Sequence, residues 1–89
     1  MRKLLTTPRF DKRLHLFLRH HSELTPVVEK IMNYLASDKY PVNLKIHKLN
    51  GILQGSMAAN ISYEYRIIFV VNAEKICFID IGNHDEVYR

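Results

Sequence analysis

Tyr65-Arg66-Ile67-Ile68-Phe69-Val70-Val71-Asn72-Ala73-Glu74-Lys75-Ile76-Cys77-Phe78-Ile79-Asp80-Ile81 is the stretch that decides the fold. Two runs rich in β-branched and aromatic residues flank Asn72-Ala73-Glu74, so the spacing predicts strands at 65–71 and 75–81 joined by a turn. Both parities of the first run are largely apolar. A strand of that kind is covered on both faces, as a central strand beneath a layer of helices would be. Cys77 is the single cysteine and lies in an apolar run. An internal disulfide and a cysteine metal cluster are therefore ruled out, and Cys77 reads as core packing.

Upstream, Ser56–Tyr63 reads as a strand closed by a turn near Glu64, and a short strand is expected around Lys45–Leu49, followed by a turn at Asn50-Gly51. Three of these strands make an antiparallel meander. Before them the period is 3.6 rather than 2, and Asp38, Pro41 and Asn43 mark the change. Thr7-Pro8 reads as a helix start, with Thr7 as cap and Pro8 where its missing N–H costs nothing. Phe10, Leu14, Phe17 and Leu18 form the apolar face of that helix, which should end near His20-His21. The same punctuation at Thr25-Pro26 opens a second helix striped by Val27, Val28, Ile31, Met32 and Leu35. Arg2–Thr7 suits a short strand. The expected architecture is α+β, β-α-α-β-β-β, with an antiparallel meander packed on an N-terminal helix hairpin in one domain spanning 1–89.

Composition supports a folded domain and excludes several classes. The 89 residues are 47% hydrophobic and 25% charged, which argues against disorder and fibrous repeats. No stretch approaches the roughly 20 apolar residues of a membrane span, and a cytoplasmic, membrane-free location is expected. Residues 1–50 hold ten Lys/Arg against four Asp/Glu, whereas 51–89 hold three against five, within a net charge of +4. The basic half suits a polyanion or an acidic protein partner, or simply solvated helices. Phosphate-cradling glycine loops, HExxH pairs and G-x-S-x-G elbows are missing, so nucleotide hydrolysis, zinc proteolysis and serine hydrolysis are poorly supported.

His47, Arg66, His84 and Tyr88 sit at strand ends and in the tail, from which side chains can converge on a groove beside a sheet. A histidine near neutral pKa can take a proton from a ribose 2′-hydroxyl or give one to a leaving oxygen. Arg66 interrupts the most apolar strand and must face a groove or a carboxylate: it stabilises charge in a transition state, or forms a structural ion pair with Glu64 or Asp80. The tail Ile81-Gly82-Asn83-His84-Asp85-Glu86-Val87-Tyr88-Arg89 concentrates His, acids and Tyr. Tyr88 suits base stacking, His84 acid/base work and Asp85 the orienting of an imidazole, unless the segment is only a solvated tail.

Three motifs in order, His47-Lys48-Leu49-Asn50-Gly51-Ile52-Leu53-Gln54-Gly55, Tyr65-Arg66-Ile67-Ile68-Phe69 and Ile81-Gly82-Asn83-His84-Asp85-Glu86-Val87-Tyr88, resemble the RelE/ParE toxin superfamily, in particular its YafQ-like branch. The resemblance covers nearly the whole chain. It implies a ribosome-dependent mRNA endonuclease of a type II toxin-antitoxin module, neutralised by a cognate antitoxin in a hetero-oligomer and needing no cofactor or metal. By the same resemblance His47, Glu64 and His84 are acid/base candidates, Arg66 a phosphate stabiliser, and Tyr88 the group at the cleaved nucleotide. Lys45, Lys48, Asn60 and Asp85 would contact RNA, with the basic helices meeting ribosomal RNA. The chain departs from the pattern at Met57, where relatives commonly carry a large aromatic, at Asn60, where a catalytic His is found, and at Glu64, which replaces Asp. Asn60 can hydrogen-bond but cannot carry a proton in turnover. Two other readings remain: a non-enzymatic ParE-like inhibitor of DNA gyrase, since fold does not fix function, and a degenerate relative that only binds an antitoxin.

Overall fold

The structure, a computed structural model, describes residues 2–37, 45–48 (except the His47 side chain) and 55–87. The expected break at Asp38–Leu44, the Asn50-Gly51 turn and Tyr88 lie outside these residues. Strand β1 (Lys3–Thr6) leads into helix α1 (Pro8–His20). Thr7 caps that helix as expected: its backbone is extended and its Oγ1 accepts the Phe10 N–H at 3.1 Å. A 3-10 turn at Ser22–Leu24 runs directly into α2 (Thr25–Ala36). Thr25 is thus the first helical residue and not a side-chain cap, a correction to the Thr-Pro analogy. With the preceding turn already helical, no extended residue stands before Pro26 to do the capping.

The helices bury the face that their periodicity marks. Phe10 and Phe17 of α1 and Val28, Ile31 and Leu35 of α2 are buried, and Leu14, Leu18 and Met32 pack beside them. Val27 departs from the expected stripe and is exposed.

Strands β2 (His47–Lys48), β3 (Met57–Asn60), β4 (Tyr65–Val71) and β5 (Lys75–Asn83) follow. The five-stranded sheet has the order β1-β5-β4-β3-β2, with β1 parallel to β5 and the other neighbours antiparallel. The β3-β4-β5 meander is as expected, and β4 is the central strand. The short strand expected around Lys45–Leu49 is present as β2, a fifth strand beside the β-α-α-β-β-β order, and a one-turn helix, α3 (His84–Val87), stands where a solvated tail was one reading. The strand expected over Ser56–Tyr63 is shorter than that, because the N–H groups of Ile61 and Ser62 both turn back onto the Tyr65 carbonyl, at 2.9 and 3.3 Å.

Alternation along β4 explains its apolar character. Ile67 and Phe69 join the core beneath α1 and α2, where Phe78 lies 5.6 Å from Phe10 and 6.2 Å from Phe69 between ring centroids. Ile68 points to the other face and forms a smaller cluster with Ala58 and Val87. The hairpin therefore covers only one side of β4, and α3 covers the other. Cys77 is half-buried and belongs to neither core cluster.

Candidate functional site

The face opposite the helix hairpin carries the site. Asn60 is paired with Arg66 across β3 and β4, and Arg66 with Gly82 across β4 and β5. Since side chains alternate along a strand, Asn60 and Arg66 share a face with Ala58 and Ile68. Val87 seats α3 on those two residues, and His84, one turn earlier, then falls beside Arg66. Lys45, Asn60, Tyr63, Arg66 and His84 line an open cleft of about 420 Å³. It holds two cations, an imidazole, an amide and an exposed phenol, a set suited to a phosphodiester with an unstacked base.

Lys45 reaches this cleft from a left-handed backbone, φ 49°. For a residue with a Cβ this costs on the order of 1–2 kcal/mol, and such conformations cluster where a ligand is held. Arg66 is half-buried and lines the cleft, and no ion pair joins it to Glu64 or Asp80 among the described residues. The structural pairing considered from sequence is not formed, because Asp80 is engaged elsewhere: its carboxylate lies 3.2 Å from Arg13 Nε and 3.4 Å from Arg9 Nη2, and accepts the Ile81 N–H at 2.9 Å.

The remaining sequence candidates separate. Asp85 is exposed beside His84, its Oδ1 3.7 Å from Nδ1, within reach to bias the ring's orientation. Glu64 is exposed in the β3–β4 turn and is not among the cleft-lining residues. Lys48 is exposed on β2. His47 pairs through its backbone with Ala58, next to the smaller cluster; its side chain and Tyr88 lie outside the described residues. Met57 is partly buried and packs at the edge of the main core. Tyr63, 95% exposed at the cleft rim, escaped the sequence reading; its signal is an exposed aromatic in the turn just before Arg66.

A smaller hollow of about 170 Å³ lies on the α1 side, between Phe17, His20, His21 and Tyr65. Tyr65 stacks edge-on against Phe17 at 5.0 Å and on His21 at 4.7 Å. Partial burial pushes its phenol above the ordinary value of 10.0, and the carboxylates of Glu64, Glu86 and Glu23 add to the rise. The charged groups at this hollow, Arg13 and Glu86, are 3.8 Å apart and engage each other. The larger cleft is the better seat for an anion.

A family model described as bacterial toxin of type II toxin-antitoxin system, YafQ, matches residues 2–89. Among solved structures, YafQ from E. coli strain BL21(DE3) superposes with a TM-score of 0.90 at 18% identity, covering 100% of both chains. YafQ in the E. coli DinJ-YafQ toxin-antitoxin complex gives 0.88 at 19% identity, over 99% of this chain and 98% of that one. A YoeB/ParE toxin from Agrobacterium tumefaciens gives 0.77 at 17%, over 92% and 98%. No curated protein matches the chain. At these identities the structural likeness establishes the fold, which agrees with the α+β expectation. No described helix is long and apolar enough to cross a membrane.

Proposed function

The chain belongs to the YafQ family of bacterial toxins of type II toxin-antitoxin systems, and from that premise we propose that it cleaves mRNA on the ribosome until a cognate antitoxin binds it. The observation that carries this reading is the gathering of Lys45, Asn60, Arg66 and His84 around one cleft. The antitoxin follows from the DinJ-YafQ complex, whose toxin has the same fold.

In the proposed reaction a ribose 2′-hydroxyl attacks its own 3′-phosphate. The O2′–P bond forms, the P–O5′ bond breaks, the 2′ proton leaves to a base, and the 5′ oxygen is protonated as it departs. The products are a 2′,3′-cyclic phosphate and a 5′-hydroxyl end. His84 is assigned one of the two proton transfers and His47 the other, with the exposed Glu64 as a more distant candidate. Arg66 bears on the charge that develops at phosphorus. Lys45 holds the neighbouring phosphate, Asn60 hydrogen-bonds the nucleotide, and Tyr63 and Tyr88 offer rings for an unstacked base. Lys48 and Asp85 flank the path of the RNA. Asn60 transfers no proton, so catalysis rests on fewer acid/base groups than the family pattern provides.

The test is cleavage of a defined mRNA in a translating extract, with 5′ ends mapped. Wild type is expected to cut within the reading frame only when the message is translated. Arg66→Ala should lower the rate about 10²–10³-fold, as loss of an oxyanion donor does, and His84→Ala should abolish cutting, with both variants folded. Intact mRNA together with blocked DNA supercoiling would overturn the nuclease in favour of the gyrase-type inhibitor; intact mRNA with no effect on supercoiling would favour the antitoxin-binding relative.

A further inference from the structure

His84 is the first residue of a helix of only four residues. So short a helix has no stability of its own, because a single turn fixes several residues for one hydrogen bond. Something must hold it. Asn83 and Glu86 bond reciprocally across that turn: the Glu86 N–H donates to Asn83 Oδ1 at 2.9 Å, and the Asn83 N–H donates to Glu86 Oε1 at 2.9 Å. This is a capping box, which satisfies two orphan donors at once. Arg13 of α1 then ties the box to the body of the protein. Its Nη2 lies 3.8 Å from Glu86 Oε2 and donates to the Ile81 carbonyl at 3.3 Å, while its Nε meets Asp80. Gly82 leaves the room: a Cβ there would stand 2.9 Å from Glu86 Oε1 and 3.0 Å from Arg13 Nη2.

We propose that Arg13, Asn83 and Glu86 are positioning residues for His84, winding and anchoring the one turn that presents its imidazole to the RNA cleft. None of the three is among the residues lining that cleft. They act by restricting where the ring can go, and α1 thereby reaches through the edge of the sheet to the opposite face. The inference rests on the nuclease reading for its catalytic consequence, but the ordering of residues 84–87 is testable without it.

Two measurements on the full chain separate these. Backbone ¹⁵N relaxation should give order parameters for 84–87 near about 0.85 in wild type, falling towards about 0.6 or below in Asn83→Ala. Asn83→Ser should restore them, since Ser caps as well as Asn. In the translating extract, Asn83→Ala should lower kcat about two- to thirtyfold, the range that loss of a cap implies, with KM unchanged and recovery in Asn83→Ser. Glu86→Ala against Glu86→Gln repeats the comparison, because Gln keeps the acceptor for the Asn83 N–H. Rigid 84–87 residues in both alanine variants, or order lost in Asn83→Ala and not regained in Asn83→Ser, overturns the proposal. A wild type that cuts no RNA while the order parameters behave as expected refutes the nuclease and leaves the bracing of His84 standing.

Discussion

Replacing Arg13 by Met tests the link between α1 and the far side of the sheet. Asp80 is 8% exposed, and in wild type two guanidinium groups and the Ile81 N–H compensate its buried charge. Removing one partner of a fully buried pair typically costs 3–5 kcal/mol, because the other charge stays buried and uncompensated. Here Arg9 remains at 3.4 Å, although its side chain is 66% exposed, and the Arg13 side chain is itself 26% exposed. Solvent screening at both arginines brings the expected loss down to about 2 kcal/mol. A chain of this size has a total stability of roughly 4–13 kcal/mol, so Arg13→Met should still fold, with a melting temperature about 8–16 °C lower. The assay is urea unfolding at neutral pH, reading the midpoint at unchanged slope. The deciding variant is Arg13→Met combined with Asp80→Asn. It removes the charge that was left behind, keeps an oxygen for the Ile81 N–H, and should regain at least half of the loss. A double variant no more stable than Arg13→Met would refute the argument, because the cost would then lie in lost packing of the arginine stem.

Three further outcomes follow from the same geometry. Thr7→Ala should cost about 1 kcal/mol by freeing the Phe10 N–H, and Thr7→Ser should cost almost nothing; chemical denaturation distinguishes the two. Gly82→Ala should destabilise by about 1–3 kcal/mol through overpacking against Glu86 and Arg13, with a reduced cleavage rate in the variant at temperatures where it remains folded. The Tyr65 phenol is raised in the folded state. The unfolded chain therefore gives up that proton first, so stability is fully present below the unfolded pKa and should fall as the pH climbs through about 10, with no pH dependence from Tyr65 below that range. Tyr65→Phe should show a shallower decline in a stability-versus-pH series; an identical decline in both proteins would count against the shift.

The strands and helices were legible because their periods differ: Phe10, Leu14, Phe17 and Leu18 repeat at helical spacing, while the run from Tyr65 to Val71 is apolar on both faces. That second fact demanded cover on two sides, and only half of the answer was read. The helix hairpin was expected; α3 was not, although Asn83-His84-Asp85-Glu86 carries the spacing of a capping box before Val87. So short a helix has no periodicity of its own and exists because of a side-chain cap and a tertiary contact. Arg66 and His84 were identified from residue type and resemblance, and they do face one cleft. Asp80 as a partner for Arg66 was wrong for a reason that pattern cannot carry: Arg9 and Arg13 are distant in sequence and reach Asp80 only once α1 lies over β5. Tyr63 went unread because a turn residue with no partner leaves no periodic trace.

The parallel pairing of β1 with β5 bears on how the protein comes into being. Lys3 to Thr6 find their partners in Lys75 to Phe78, so among the described strands the first in chain order waits for the last. At ordinary elongation rates the wait is about 4–14 s. A non-local pairing of this kind also meets its closure entropy before any contact offsets it. The cleft stands on β3 and β4 and takes its imidazole from α3, which trails β5. The cleft therefore gains the turn that carries His84 only after β5, the strand on which β1 also waits, has been made.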